Sequence, residues 1–451
     1  MDRDAVDRDA ALPVTHPTPP RPEAPGPLDG VRVIELAHPF GAFAGRLLAD
    51  AGADVIVVEP PEGAEQRRHG PFAGDQPGLE RSLTWWAENT SKRSVVADLG
   101  TGGGRQLVAD LAAVADVFLD CEEPGRLAEL ELDYDDLHGR NPELIYVSIT
   151  PFGRAGAGSA ITDLTLLARG GPMWSCGYDD HALPPVRGRG NQGIRTACHF
   201  AVMAVLTALV GRSRNGGQLI DVNMHAAANV TTEFASYGWL VAQQTVHRQT
   251  GRHAMATPTE PSQVCCADGR YLNTGVPPRS AREFGALLEW IRQLGLETEF
   301  AMTPLLELGL GYDHLSLAMI AEDPLAGEVF QAGREAMIFI ASKLSAHQAF
   351  VGFQQRGIPA GVVWSPDETM RDPHFVERGF PTEVYHDEIG GPVVYPGPPI
   401  RFTASPMAIR HRAPRLGEHT EQVVADLLVL DVSSGVGAGS RGPSGLPSKR
   451  R

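Results

Sequence analysis

The residues in this chain best suited to chemistry are few and widely spaced. His38-Pro39-Phe40-Gly41 follows an apolar run, Val31 to Leu36, and opens a helical pattern that ends before a second apolar run, Val55 to Val58. A turn from strand into helix N-terminus can receive a phosphate or an acyl carbonyl on its backbone N–H groups. It lacks G-x-G-x-x-G, so nicotinamide chemistry is not expected there. Gly100-Thr101-Gly102-Gly103-Gly104 lacks the Lys-Ser/Thr of a nucleotide loop and reads as a strand-to-helix turn. Asp163 opens a helical segment after Thr162 and reads either as a helix N-cap or as a catalytic carboxylate. His225 and Glu233, placed on one helix face by their spacing, read as structural or surface residues, and Gly417-Glu418-His419-Thr420 looks like a metal or catalytic constellation. No Ser/His/Asp array or metal-ligand spacing stands out, so no metal and no nucleotide cofactor are expected.

The elements that must hold these residues alternate. After the unit from Val31 to Val58 come a strand at Ser94–Leu99, a helix at Gly104–Ala115, and strands at Val117–Asp120 and Leu144–Ile149. Helical patterns over Thr162–Gly171 and Thr196–Val210 precede a strand at Gly217–Met224, and the whole predicts an α/β fold on a mostly parallel sheet. Asp268-Gly269-Arg270 reads as a hairpin turn, followed by helices to about Gln355, a strand at Gly361–Trp364, and strands near Val393-Val394 and Ile400–Phe402. This later stretch predicts a second, smaller α+β domain.

With 451 residues and 42% apolar content, two domains are expected. A net charge of −16 with scattered Lys and Arg argues against nucleic acid as a partner. Five cysteines without a C-x-x-C pair predict reduced thiols. Residues 1–27 and 433–451 are expected to be disordered by composition. No apolar run of membrane-spanning length and no hydrophobic signal core stand out, so a soluble cytoplasmic protein is expected.

Seven segments occur in the order of one family. They are LDGVRVIEL from Leu28, LLADAGADVIVVEPP from Leu47, Asn89–Ser94, NPELIYVSITPFG from Asn141, NGGQLIDVNM from Asn215, GIPAGVV from Gly357 and APRLGEHT from Ala413. Through them the chain resembles the class III CoA-transferases, or CaiB/BaiF family, which includes formyl-CoA transferase, carnitine CoA-transferase and α-methylacyl-CoA racemase. The resemblance implies a Rossmann-like large domain, residues 28–240 plus 385–430, and a smaller domain, residues 255–375, in an interlocked dimer. It implies acyl-CoA and a carboxylic acid as substrates, with coenzyme A exchanged between them. In that chemistry an Asp carboxylate attacks the thioester to give an acyl anhydride, which CoA thiolate opens to an aspartyl-CoA thioester.

The resemblance also carries residues over. Counting back from Gly217-Gln218 puts Gly193 at the family nucleophile, and a two-residue shift puts Asn191 there; neither is a carboxylate. Asp163 falls where the family carries an acidic residue and the racemases their catalytic Asp, but Thr162 replaces the accompanying His. For CoA, the resemblance implies the His38–Gly41 turn, Lys92, Arg93 and the displaced Arg126, with Arg67 and Arg68 as replacement charge or a solvated pair. It leaves three readings: a subunit that pairs with a homologous Asp-bearing chain, a homodimeric transferase or isomerase using Asp163, and a non-catalytic acyl-CoA binding protein. Met173, Trp174 and Tyr178 fit equally a nonpolar acyl pocket or ordinary core.

Overall fold

The computed structural model describes residues 24–156, 160–188 and 190–429. The expected disorder at 1–23 and 433–451 lies outside them. The chain divides into two compact units, and the described residues of the first are 24–156, 160–171, 188, 190–231 and 370–429. Its core element is a six-stranded parallel sheet in the order β3-β2-β1-β4-β5-β6. The strands are β1 (Arg32–Leu36), β2 (Asp54–Glu59), β3 (Arg93–Val96), β4 (Val117–Asp120), β5 (Ile145–Thr150) and β6 (Gln218–Asn223). Their short, almost continuous apolar runs are what a sheet covered on both faces demands.

Between the strands lie α1 (Ala42–Asp50), α2 (Leu83–Glu88), α3 (Gly102–Ala113), α4 (Arg126–Glu129), α5 (Tyr134–Arg140), α6 (Asp163–Gly170) and α7 (Gln192–Asn215), with α8 (Met224–Val230) after β6. One face of the sheet buries Val33, Val55, Leu119, Val147 and Ile149 against Leu48 of α1 and Ala197, Ala201 and Val205 of α7. The other buries Ile34, Ile56, Phe118 and Tyr146 against Val108 and Leu111 of α3 and Leu137 of α5. Small side chains on α7 let that helix lie close to the strands.

Helix α7 corrects one expectation: it is 24 residues long and apolar enough to cross a membrane by length and composition. It is a crossover helix, packed by one side into the sheet's core. The other side exposes Met203, Leu206 and Val210, the last at 80%.

The second unit holds 172–187 and 232–369. It contains α9 (Glu233–Ala242), a two-stranded pair β7 (His247–Gln249) and β8 (Arg252–Met255), and an antiparallel sheet of β9 (Gln263–Cys265), β10 (Tyr271–Thr274) and β11 (Ala360–Val362). Helices α10 (Ala281–Gln293), α11 (Thr303–Gly309), α12 (Leu317–Glu322), α13 (Pro324–Lys343), α14 (Ala346–Gln355) and α15 (Pro366–Thr369) complete it. Its own core runs through Leu272, Phe284, Leu287, Val329, Met337 and Phe353. The second unit is thus α+β, as the pattern predicts.

The chain then adds α16 (Pro373–Glu377), a hairpin of β12 (Pro381–His386) and β13 (Gly391–Pro396), and α17 (Thr420–Val424) to the first unit. β12 is missed by the sequence pattern, and Ile400–Phe402, expected as a strand, is irregular. Glu233 also departs from expectation, because the chain breaks after Val230 and Glu233 begins α9.

The C-terminal segment is fastened by buried charge. Arg67 is fully buried, bonded to both oxygens of Glu59 at 2.6 and 2.8 Å and to the Pro414 carbonyl at 3.0 Å, and stacked over Trp85. It is not the solvated charge expected of it. Arg67→Met leaves Glu59 buried beside no cation and should lower unfolding free energy by about 3–5 kcal/mol in denaturant titration. Arg68→Met, at an exposed position, should change it by less than about 0.5 kcal/mol.

Candidate active site

In a doubly wound sheet, ligands bind beyond the carboxyl ends of the strands where the order reverses. Here that place lies between β1 and β4. The His38–Gly41 turn leaves β1 on one side of it, and Cys121–Arg126 leaves β4 on the other. Gly41 of the turn lies against the residue that follows β4, a Cβ on it standing 2.6 Å from Cys121 Sγ, and Arg126 begins the short helix beyond. Arg126 is half-exposed; its guanidinium pairs with Glu129 on its own helix at 3.3 Å and its charge acts on Glu122.

The turn is held from below. Lys92 is fully buried, and its ammonium reaches Glu35, Asn89 Oδ1 and the Ala42 carbonyl, each at 2.8 Å. It props the first residue of α1 and is spent on that task, so the expected contact with CoA meets an internal role. Burial pushes the Glu35 carboxyl up to about 7 despite the ammonium beside it. Gly45 fits here because a Cβ would stand 1.6 Å from Glu35 Oε2. Arg93 does not join the crevice, since it bonds Asp54 at 2.8 and 2.7 Å, at the amino end of β2.

His38 Nδ1 accepts the Phe40 N–H at 3.2 Å, which assigns the ring proton to Nε2. Burial pulls its pKa down to about 4. The imidazole is neutral at pH 7, a donor without charge at the mouth of the crevice.

Helix α7 starts beside this turn. Its Cys198 thiol donates to the Phe40 carbonyl at 3.0 Å, and Arg195 lies over Phe43, 5.1 Å from the ring centre. The first N–H groups of a helix need acceptors, which the N-cap residue usually supplies. Asn191 does not, because it sits in the left-handed region at φ +54° and its side chain makes no capping bond. Asp163 Oδ1 takes over, accepting from Gly193 N at 2.8 Å and Ile194 N at 3.1 Å. Asp163 is buried, and Thr162 is the N-cap of α6. A Cβ on Gly193 would stand 2.9 Å from Leu166 Cδ2, 3.1 Å from Leu167 Cδ2 and 3.2 Å from Asp163 Oδ1. The position that the resemblance gives to a nucleophile is closed, and the nearest carboxylate is bonded to it.

The chain matches the family model "CoA-transferase family III" over residues 28–420. This chain belongs to CoA-transferase family III. Among relatives of the family, it is 30% identical over 398 residues to the succinyl-CoA:(R)-benzylsuccinate CoA-transferase subunit BbsE of Thauera aromatica, covering 88% of this chain and 93% of that one. It is 31% identical over 423 residues to the succinate–glutarate CoA-transferase of Agrobacterium fabrum, covering 91% and 98%. A CaiB/BaiF family protein from Brucella suis has the same fold, with a TM-score of 0.69 and 28% identity over 89% of this chain and all of that one.

Within the family fold, other candidates have structural tasks. The His225 ring bonds the Pro151 carbonyl at 2.6 Å and stacks on Phe152. The Gly417–Thr420 turn ties to β3 through Gly417 N to Ser94 Oγ and Val96 N to Thr420 Oγ1. Trp174 bonds the Val246 carbonyl at 2.9 Å within the second unit, with its ring half exposed. Sequence reasoning missed Glu35 and Glu59 as functional supports. Their signal was a carboxylate inside an apolar strand, which burial forces to find a cation.

A neutral buried His38 fixes a sign. Above pH 6.5 both states leave it uncharged; below, the unfolded chain takes a proton that the folded one refuses until about pH 4. Its stabilisation is complete above 6.5 and lost as pH falls through that window. His38→Gln should flatten this part of the stability profile, which denaturant titration at several pH values against the parent chain would show.

Proposed function

We propose that this chain is the subunit without a nucleophile in a two-chain acyl-CoA:carboxylate CoA-transferase, and that a homologous partner supplies the Asp. The observation that carries the reading is the junction of α6 and α7. Gly193 stands where the family nucleophile is expected, and the Asp163 oxygen beside it is committed to two backbone N–H groups. Attack by that oxygen on a thioester would have to give up both bonds and uncap a 24-residue helix. That commitment of Oδ1 supports a capping role for Asp163 and a nucleophile on the partner chain.

The support from relatives is that one of them is named as a subunit of a CoA-transferase. Further support comes from the uncovered side of α7, where Met203, Leu206 and Val210 form one apolar stripe. A second family chain, interlocked as the resemblance implies, would cover it. CoA would lie in the crevice between the His38–Gly41 turn and Arg126, with its phosphates toward the turn's N–H groups and the neutral His38 donating to it. The acceptor would be a carboxylic acid, and the setting a cytoplasmic one in which the five free thiols stay reduced.

The test starts from native mass spectrometry of the complex from its own host, where a heterodimer with an Asp-bearing homologue is expected. Asp163→Asn keeps an acceptor for α7 but cannot form an anhydride. Turnover of the assembled enzyme should stay within about threefold of the parent, and a loss beyond about a thousandfold would make Asp163 the nucleophile. Gly193→Asp should not confer turnover on the isolated chain and should destabilise it by about 1–3 kcal/mol through overpacking. Normal turnover by the unaltered isolated chain would defeat the two-chain reading.

A further inference from the structure

Away from the crevice, the first unit has a second concavity. It encloses about 530 Å³ between the β12–β13 hairpin and the irregular segment 398–411. Its walls include Phe380, Ile400 and Phe402, with the last two about half exposed. Three arginines, Arg378, Arg401 and Arg410, line the same space.

These arginines are oriented but not neutralised. Arg378 Nη2 bonds the Pro399 carbonyl at 3.2 Å, Arg401 Nη2 the Glu377 carbonyl at 3.3 Å, and Arg410 Nη2 the Pro406 carbonyl at 3.3 Å. Glu383 on the same wall has an interaction of its own. Among the described residues none of the three is in an ion pair, a state they share with Arg68, Arg81 and Arg105 of the same unit; what sets them apart is that all three, two of them exposed, surround one hollow. A chain of net charge −16 has ample carboxylates to pair them. Each guanidinium spends one nitrogen on a carbonyl and keeps others for an anion seated in the hollow they share.

We infer that this groove binds an organic carboxylate with an apolar body, at a site separate from the His38 crevice. The guanidinium fork matches a carboxylate with two parallel hydrogen bonds. The ring and aliphatic walls desolvate the remainder, and the volume suits a small acid of one ring or a short branched chain. A bare inorganic anion would leave those walls wet. The inference does not rest on which chain supplies the transferase nucleophile, because no residue is shared with the α6–α7 junction.

The test titrates 3-phenylpropionate, inorganic phosphate and CoA separately into the full-length chain by calorimetry. The aryl acid should saturate a site that the Arg378→Gln/Arg401→Gln double variant weakens at least about tenfold. Phe402→Ala should weaken it as well, and His38→Gln should not. Phosphate should bind at least about tenfold more weakly than the aryl acid. CoA binding and transferase turnover of the assembled enzyme should survive the double variant, and their loss in it would overturn the separateness of the groove, whereas their absence in the parent chain speaks only to the crevice. The inference is overturned if the aryl acid does not saturate, if its binding is unchanged in both groove variants, or if phosphate binds as tightly. It is equally overturned if the double variant loses its partner chain in native mass spectra while acid binding is unchanged, which would make the groove a subunit contact.

Discussion

A charge placed inside a parallel sheet must be paired, and the first unit is organised around that requirement. Glu35 and Glu59 lie in neighbouring strands that are otherwise apolar, and each is matched by one buried cation, Lys92 and Arg67. Each cation then spends its remaining donors on main-chain or amide oxygens that fix something else. Lys92 holds the start of α1, and with it the turn that leaves β1. Arg67 holds Pro414, and with it the return of the C-terminal segment to the sheet. Neither pair need add net stability over an apolar replacement, since desolvation offsets most of the Coulomb gain. What they contribute is a single geometry for the loops at the strand ends.

The same logic governs the junction of α6 and α7. A buried helix start needs acceptors, and a left-handed Asn191 provides none. The nearest carboxylate therefore serves as a cap, and the space a catalytic side chain would need is filled by Leu166 and Leu167. A family whose chemistry depends on one carboxylate can keep its fold after losing that group, because the sheet does not depend on it. In the proposed two-chain enzyme, the apolar stripe on α7 is the surface through which a partner would supply the missing carboxylate.

Electrostatics separates the unit's two concave places. At the strand ends stand a neutral His38 after β1 and a half-exposed Arg126 after β4, with Asp120 at the end of β4 raised to about 6 by burial. The groove beside the β12–β13 hairpin gathers three guanidiniums that pair with no carboxylate among the described residues, against apolar walls. On an acidic chain such a local reversal focuses anions where the average field would repel them.

The sequence by itself determined the α/β alternation, the smaller α+β unit and the family, because those depend on apolar periodicity and on seven local segments. It also showed that no carboxylate stands at Gly193 or Asn191. It could not decide between a cap and a catalyst for Asp163, since the two differ only in what lies across from the carboxylate, and α7 arrives from thirty residues further along. Lys92, Arg67 and Arg93 look alike in sequence as basic residues near strands, yet the first two are buried supports and the third pairs with Asp54 at the far end of β2. Only tertiary structure sorts them, because a charged side chain's role is set by the partners that burial forces upon it. The hairpin strand β12 and the arginine groove were hidden for another reason: neither has a periodic signal, and the groove exists only once the irregular segment 398–411 folds back on the hairpin.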